Sequence, residues 1–286
     1  MEGFATPILF IIHHRIETTQ KVFDKIKEIK PRQLFIVVDG PCNKKENEEC
    51  LSVRKIVSYI DWNCEATYLF RDENLGCRDN VYSGISWFFS KVEQGIILED
   101  DIMVDSSFFP YCEELLIRYK DNPRIGTISG DNFQYGHNSI PYSYYFSKYF
   151  HCWGWASWRR VWDLIDNKMT DWPTLRNTNW METDLPGELA FWNKKLDIVS
   201  LGGLDTWDYY PFYCLWKNKI LNILPSVNLV SNIGFGHEST HTGDLNSIMS
   251  NIPRKSMPFP LVHPEKIERF KEADRYEFQF FKEEKR

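Results

Sequence analysis

The sequence has 286 residues, of which 34 are lysine or arginine and 40 are aspartate or glutamate, so its formal net charge is −6. Hydrophobic residues make up 43% and charged residues 26%, which is typical of a globular protein with a sizeable core in one large domain or two modest ones. Because phosphate backbones attract a positively charged surface, the acidic balance and the lack of a run of five lysines or arginines argue against a nucleic-acid partner.

Short apolar runs alternate with amphipathic segments over about the first 130 residues. The runs are typical of buried parallel strands, and they comprise residues 8–12, 34–38, 65–70, 95–98 and 125–129. Four stripes of apolar residues at helical spacing lie between them and begin at Val22, Val53, Val81 and Phe108. The alternation predicts an α/β fold, with a mostly parallel sheet flanked by helices and ligands bound beyond the carboxyl ends of the strands.

The sequence after Asn132 is aromatic-rich and irregular, and a further helix is predicted near Asp205. No repeat or low-complexity linker separates the two parts, so we expect residues 133–264 to fold onto residues 1–132. A tail, residues 265–286, carries apolar residues at helical spacing and then alternating aromatics. We favour docking of this tail on its own chain, with docking on a partner as the alternative.

No targeting or membrane-spanning segment is predicted. The apolar run at residues 8–12 is much shorter than the ~20 residues that a spanning helix needs, and no basic residue precedes it. The seven cysteines include no CxxC pair, and no Asn-x-Ser/Thr sequence is present, which favours free thiols in a reducing compartment. We therefore expect a cytoplasmic location.

Charged side chains follow three of the predicted strands. His13-His14-Arg15 follows the first, Asp39-Gly40 the second and Glu99-Asp100-Asp101 the fourth, so all three groups lie at one rim of the sheet. Three adjacent carboxylates raise one another's pKa unless a positive charge neutralises them. Their oxygen ligands favour Mg²⁺ or Mn²⁺, with a diphosphate completing the coordination. The alternative is a solvated acidic loop, and the position beside Asp39 favours the metal site.

Several short motifs occur in an order that resembles a known family. They are an apolar strand ending in Arg15, VVDG at 37–40, RDENLG at 71–76, ILEDDI at 97–102 followed by DSSFFPYCEELL, WGW at 153–155, the aspartates around Trp207, and a Pro225 to Gly236 stretch. Over residues 6–242 the chain resembles the nucleotide-sugar glycosyltransferases of GT-A fold, most closely the inverting N-acetylglucosaminyltransferase I group. The resemblance implies a Rossmann-like donor half, residues 1–132, and an aromatic-rich acceptor half, residues 133–264.

The resemblance also implies roles for individual residues. Arg15 and Asp39 would hold the nucleotide base, Glu99 and Asp100 would bind sugar or ribose hydroxyls, and Asp101 would bind the metal. Arg78 opens the third predicted helix, where its charge and unpaired backbone N–H groups could hold the diphosphate; an ordinary surface arginine is the alternative.

A carboxylate must take the proton of the acceptor hydroxyl as it attacks. Asp208 is the candidate, with Asp205 in reserve; related enzymes carry two adjacent acids here, whereas Tyr209 follows Asp208. Alternatively, both aspartates only cap the helix predicted near Asp205.

Two further patterns have competing interpretations. Trp153, Trp155 and Trp158 could present flat faces to sugar rings, Trp155 being the first to test, or could simply fill the core. The sequence 237–241, HESTH, matches the HExxH zinc-protease pattern, but its glycine-flanked setting predicts a loop rather than the helix that this chemistry needs. In a glycosyltransferase, His237 could contact diphosphate or metal.

These observations predict a metal-dependent inverting glycosyltransferase that uses a nucleotide-sugar donor, UDP-linked, and a glycan or lipid-linked acceptor. The resemblance further implies a bacterial enzyme of surface-polysaccharide synthesis, peripheral to the inner membrane. The alternatives are a sugar-binding protein without catalysis, a sugar-1-phosphate nucleotidyltransferase, which typically has a glycine-rich loop after its first strand, and an HExxH protease.

Overall fold

The computed structural model of the chain describes residues 3–235 and 247–283. The elements up to residue 129 are β1 (Ile8–Ile12), α1 (Ile16–Ile29), β2 (Gln33–Val38), α2 (Lys44–Ser58), β3 (Glu65–Phe70), α3 (Gly76–Lys91), β4 (Gln94–Glu99), β5 (Ile102–Val104), α4 (Phe108–Tyr119) and β6 (Ile125–Ser129). They are followed by β7 (Tyr144–Ser147), β8 (Trp155–Trp158), α5 (Arg159–Trp162), α6 (Trp172–Leu175), α7 (Glu188–Ser200), α8 (Tyr209–Lys217), β9 (Leu221–Pro225), β10 (Val230–Asn232) and α9 (Lys271–Glu283).

Eight strands form one twisted mixed sheet in the order β3-β2-β1-β4-β8-β6-β9-β7. Strands β1 to β4 are mutually parallel, β8 is antiparallel to both of its neighbours, and β7 is antiparallel to β9. A separate small sheet pairs β5 with β10 in antiparallel orientation. The α/β architecture with a mostly parallel sheet flanked by helices is therefore confirmed.

The five strands predicted from apolar runs are all present. Strand β1 lies between β2 and β4 and is buried at every residue, which explains its unbroken run of apolar side chains. Strand β3 lies at the sheet edge and is only partly buried, in keeping with its mixed composition. The four predicted helical stripes correspond to α1, α2, α3 and α4.

The sequence pattern did not predict β8. This strand comes from the aromatic stretch after residue 150 and inserts between β4 and β6, where Ile97 pairs with Trp155 and Ser129 pairs with the same residue on the other side. The insertion joins the second half of the chain to the centre of the sheet. The aromatic half is thus held to the first half by backbone hydrogen bonds on both edges of one strand.

The C-terminal segment docks on its own chain, as favoured from the sequence, and its aromatic part is helical. The Phe270 N–H donates to the carbonyl of Phe146 in β7 at 2.8 Å, just before α9 begins. Asp274, buried on α9, accepts a 2.6 Å hydrogen bond from the Ser147 hydroxyl. Helix α9 therefore packs at the β7 edge, where it covers Tyr145 and reaches the interior of the aromatic half.

Two further observations concern the described residues. No helix within 3–235 and 247–283 combines the length and the apolar character that crossing a bilayer requires. None of the seven cysteines, all of which lie in these ranges, forms a disulfide, as expected from their spacing.

Candidate functional site

The carboxyl ends of β1 and β4 are joined by the side chain of Arg15. This arginine sits at the start of α1, and its guanidinium donates to Asp100 Oδ1 at 2.5 Å and to Asp101 Oδ2 at 2.9 Å. The backbone N–H of His13 donates to the other oxygen of Asp100 at 3.2 Å. Arg15 therefore supplies the positive charge that two of the three consecutive acids need, because both aspartates are buried.

The chain after β10 lies directly on this ion pair. The Ile233 N–H donates to the carbonyl of Asp101 at 2.8 Å. A Cβ on Gly234 would collide with Asp101 Oδ2 and would lie 2.5 Å from Arg15 Nη1, so the close approach requires glycine. The Pro225 to Gly236 stretch thus covers the strand ends, and the structure describes it as far as Phe235.

Glu99 is the acid of the triplet that Arg15 does not contact. Its side chain has no hydrogen-bond partner among the described residues. Burial, followed by the charges of Asp101 and Asp100, raises the pKa of Glu99 to about 8. The pKa of Asp101 is also raised by burial, although Arg15 opposes the shift. The rim of the sheet therefore holds carboxyl groups whose ionised forms would be stabilised by a further cation.

Asp39, expected to hold the nucleotide base, makes its hydrogen bonds within the chain. One carboxylate oxygen accepts from the backbone N–H groups of Gly40 and Leu75, and the other accepts from Gly76 N–H and the Asn74 side chain. These bonds, 2.9 to 3.2 Å long, tie the end of β2 to the start of α3. Binding a base through Asp39 would require one of these partners to be replaced.

The start of α3 is occupied by carboxylates. Asp39 accepts from Gly76 N–H, and Asp205 accepts from Arg78 N–H at 3.2 Å. The N–H groups of Gly76 and Arg78 are therefore already paired with carboxylates and are not free to hold a diphosphate, contrary to the expectation from the sequence. The Arg78 side chain donates to neighbouring Asp79 at 2.9 Å and stays near the surface.

Asp205 and Asp208 differ in their surroundings. Helix α8 begins at Tyr209, four residues later than predicted, and Asp208 precedes it without a side-chain capping bond. Asp205 caps α3 rather than α8, since its carboxylate accepts from Arg78 N–H. The Asp208 carboxylate accepts a hydrogen bond from the Thr206 hydroxyl. Neither aspartate side chain therefore caps α8, as the alternative interpretation required, and Asp205 caps α3 instead.

Asp208 lies close enough to the strand-end acids to act on them electrostatically. Its charge contributes to the raised pKa of Glu99. Burial raises the pKa of the Cys77 thiol, and the charges of Glu99, Asp208 and Asp205 raise it further. Carboxylates more than 100 positions apart in sequence thus act on Cys77 in the first turn of α3.

A pocket with a cavity volume of about 80 Å³ has Asp208 in its lining. Its lining is mostly aromatic and comprises Phe133, Phe150, Trp153, Phe191, Trp192, Tyr209, Phe212 and Phe281, together with Asp131, His151, Cys152, Lys195, Asp208 and Met249. Asp208 therefore borders this pocket and also acts electrostatically on the strand-end acid Glu99.

The three tryptophans singled out in the sequence occupy different places. Trp153 is half-buried and lines the pocket. Trp155 and Trp158 lie in β8 and are 2% exposed, and Trp155 stacks on Trp207 with ring centroids 5.8 Å apart. Trp155 and Trp158 are thus core residues that do not line the pocket, which corrects the choice of Trp155 as the first residue to test.

A buried charge cluster of Asp131, His151 and Glu277 lies at the pocket, which Asp131 and His151 line. His151 Nδ1 lies 2.6 Å from Asp131 Oδ1, and Nε2 is paired with the carboxylate of Glu277 on α9. Burial alone would lower the pKa of His151, but the two carboxylates outweigh it and raise the pKa to about 10. His151 therefore carries a positive charge at neutral pH. The sequence offered no signal for this cluster, since its members are 126 positions apart between His151 and Glu277.

A second group that sequence reasoning missed lies beside the end of β1. His13, His14 and Glu46 each offer a ligand atom within 4.8 Å of the others, and within residues 3–235 and 247–283 no other set of three metal-ligating side chains does so. Two imidazoles and one carboxylate suit Zn²⁺ better than Mg²⁺. Asn74 approaches His13 Nε2 at 3.1 Å. The adjacent histidines were the available signal, but Glu46 is brought to them only by α2.

One predicted ligand, His237, lies outside the described residues, as does the whole HESTH sequence at 237–241. Its roles as a metal or diphosphate contact, and the protease alternative, therefore remain predictions from the sequence.

Comparisons with known proteins identify no family. No protein-family model and no curated protein matches the sequence. HddC from Yersinia pseudotuberculosis aligns at 8% identity over 55% of this chain and 79% of that chain, with a TM-score of 0.35. A UDP-glucose pyrophosphorylase complexed with UDP-glucose aligns at 9% identity over 56% and 78%, with a TM-score of 0.34. Likeness at this level carries no argument about the activity of this chain.

We predict that His151 titrates far from ordinary histidine values. Its pKa of about 10 lies above the ordinary 6.5, so its charge stabilises the fold fully below about pH 6.5, and that stabilisation is lost as pH rises through about 10. In an NMR titration of the histidine ring protons, the His151 signal should stay in its protonated position above pH 8. The signals of His13 and His263, whose pKa values are lowered by burial, should change below pH 6.5.

Assignment of the His151 signal with the variant His151→Gln provides the control. A His151 titration midpoint near pH 6.5 would contradict the buried ion cluster.

Proposed function

We propose that the chain is a metal-dependent inverting glycosyltransferase that moves a sugar from a nucleoside diphosphate donor, UDP in the first instance, to a glycan or lipid-linked acceptor. The observation that carries the proposal is the position of Asp208. This carboxylate acts electrostatically on the strand-end acid Glu99 and also lines the aromatic pocket. A base at the junction of a donor site and an acceptor site is what direct sugar transfer requires.

The donor would bind at the carboxyl ends of β1 and β4. Arg15, Asp39, Glu99 and Asp100 are the residues proposed for nucleotide and sugar contacts. Glu99 is suited to a hydroxyl ligand because it has no hydrogen-bond partner among the described residues, and its raised pKa keeps a proton available at neutral pH. Arg15 holds Asp100 and Asp101 in fixed orientations, so these side chains need no rearrangement before the donor arrives.

The same acids fit a divalent cation. Mg²⁺ and Mn²⁺ are commonly held by one or two carboxylates plus substrate phosphates, and Asp101 would supply such a carboxylate. When bound, the ion would act as a Lewis acid on the leaving diphosphate. Arg78, on the surface beside Asp205, is proposed as a further diphosphate contact.

The acceptor would enter through the aromatic pocket, where Asp208 can take the proton of its attacking hydroxyl. Direct attack on the anomeric carbon from the face opposite the diphosphate breaks one glycosyl bond, forms another and inverts the configuration. Thr206 orients the carboxylate of Asp208 through its hydroxyl, so the base is positioned before the acceptor binds.

The nucleotidyltransferase alternative receives less support from the structure. Only residues 13–15 separate β1 from α1, and this segment carries two histidines and an arginine rather than glycines. The backbone N–H groups of a glycine-rich phosphate loop therefore have no counterpart after this strand.

We predict that the protein binds a UDP-sugar only with Mn²⁺ or Mg²⁺ present. Asp101→Asn should abolish the metal-dependent turnover while retaining the fold. A thermal-shift screen of UDP-, GDP- and dTDP-sugars with each metal measures the binding, because a ligand specific to the folded state raises the melting temperature. Release of UDP on addition of acceptor glycans, with inversion read by NMR of the product, would support the transferase. Formation of UDP-sugar from UTP and sugar 1-phosphate would show that the protein is a nucleotidyltransferase and not a glycosyltransferase. Metal-independent binding without turnover would indicate a sugar-binding protein.

We predict that Asp208→Asn lowers turnover by about 10²–10⁴ while donor affinity stays near the wild-type value, because the change removes basicity and keeps the hydrogen bond from Thr206. Asp205→Asn is the matched control, since its amide oxygen can still accept from Arg78 N–H and cap α3. Turnover, donor affinity and melting temperature should be measured for both. Normal turnover in Asp208→Asn, or the larger loss in Asp205→Asn, would contradict the assignment of the base.

A further inference from the structure

Asp131, one of the residues that line the aromatic pocket, has a carboxylate oxygen that the protein leaves unpaired. Asp131 is 1% exposed and lines the pocket, and its Oδ1 is paired with His151. Its Oδ2 is buried and has no hydrogen-bond partner among the described residues. Since buried polar atoms are nearly always satisfied in folded proteins, this oxygen marks a position where a ligand group can donate.

The charges around Asp131 restrict what that ligand can be. The cluster holds two carboxylates and one imidazolium, so with all three ionised its net charge is −1. Lys148, the other cation that acts on Glu277, is itself paired with Glu188 at 2.5 Å. The oxygens of Asp131 therefore repel phosphate and carboxylate groups and accept hydrogen bonds from neutral or cationic ones.

The walls add a requirement for flat apolar faces. Trp153 and Phe281 are half-buried at the pocket, and Trp192 and Phe212 lie deeper. Aromatic faces combined with a hydrogen-bond acceptor match a sugar ring, which has C–H faces and hydroxyl edges. A purely hydrocarbon chain would cover the walls but would leave the oxygen of Asp131 unsatisfied.

We propose that this pocket binds the acceptor through an uncharged saccharide ring, that a ring hydroxyl donates to Asp131 Oδ2, and that Asp131 determines the specificity for that ring. The identification of this saccharide as the acceptor rests on the proposed function. Because Glu277 and Phe281 both belong to α9, the C-terminal helix builds part of the acceptor site and fixes the orientation of Asp131 through His151.

The chain offers a matched pair of variants. Asp131→Asn keeps an oxygen that can accept from His151 but replaces the unpaired oxygen with an N–H₂ group. The saccharide hydroxyl could then only accept at this position, and the stronger hydrogen bond to a charged oxygen would be lost. Glu277→Gln removes the same charge from the other side of His151, and Glu277 is not among the residues that line the pocket. A structural effect of charge removal should thus appear in both variants, and a direct contact only in the first.

The experiment measures binding of methyl glycosides of glucose, galactose and N-acetylglucosamine by saturation-transfer NMR and tryptophan fluorescence, with UDP plus Mn²⁺ titrated separately. We expect at least one glycoside to bind the wild-type protein, with its affinity reduced at least tenfold in Asp131→Asn and less than threefold in Glu277→Gln. UDP binding should not change in either variant. Trp153→Ala, at the pocket rim, should also weaken glycoside binding and serves as the second variant if Asp131→Asn does not fold.

The outcomes separate this inference from the proposed function. Equal weakening in Asp131→Asn and Glu277→Gln, an unaffected Asp131→Asn, or a wild-type protein that binds none of the glycosides would overturn the saccharide site. If Asp131→Asn does not fold, unchanged binding in Trp153→Ala would overturn it. If glycosides bind in the expected pattern but no nucleotide sugar binds, the pocket is still a saccharide site and the proposed transferase function is wrong.

Discussion

Adjacent carboxylates at the end of a buried strand repel one another, and the guanidinium of Arg15 neutralises two of them. The arrangement of the strand ends depends on this ion pair. The guanidinium joins α1, which follows β1, to Asp100 and Asp101, which follow β4. Gly234 packs against the same ion pair, so the chain after β10 can approach only because that position lacks a Cβ. Glu99, which Arg15 does not contact, is left as the carboxyl with the most perturbed pKa at this rim.

The second constraint is the insertion of β8 between β4 and β6. Hydrogen bonds on both edges of this short strand fix the aromatic half against the first half of the chain, so the strand ends and the aromatic pocket are built on one sheet. Asp205 strengthens the junction by capping α3 from the other half of the chain. Asp208, three residues later, lines the pocket and acts electrostatically on Glu99.

The aromatic content, 16% of the sequence, has two separate uses. Trp155 and Trp207 stack inside the core and hold β8 against the helix α8 region. Trp153 and Phe281 instead remain partly exposed around the pocket, beside buried charges that a hydrophobic core alone would not need. Packing therefore accounts for Trp155 and Trp207. Trp153 and Phe281 line the same pocket as Asp131, which has an unpaired oxygen, and this arrangement favours ligand binding.

The sequence by itself determined the strands and helices of the first half, because buried parallel strands and amphipathic helices have distinct apolar periods. It also located Arg15, Asp39 and the acids at 99–101 at one rim, since the ends of parallel strands meet there. Only the tertiary structure decided that β8 enters the sheet, that Asp205 caps α3, and that Asp131, His151 and Glu277 form one cluster. Contacts between residues far apart in the chain have no local period, and they form only when the core has brought distant segments together.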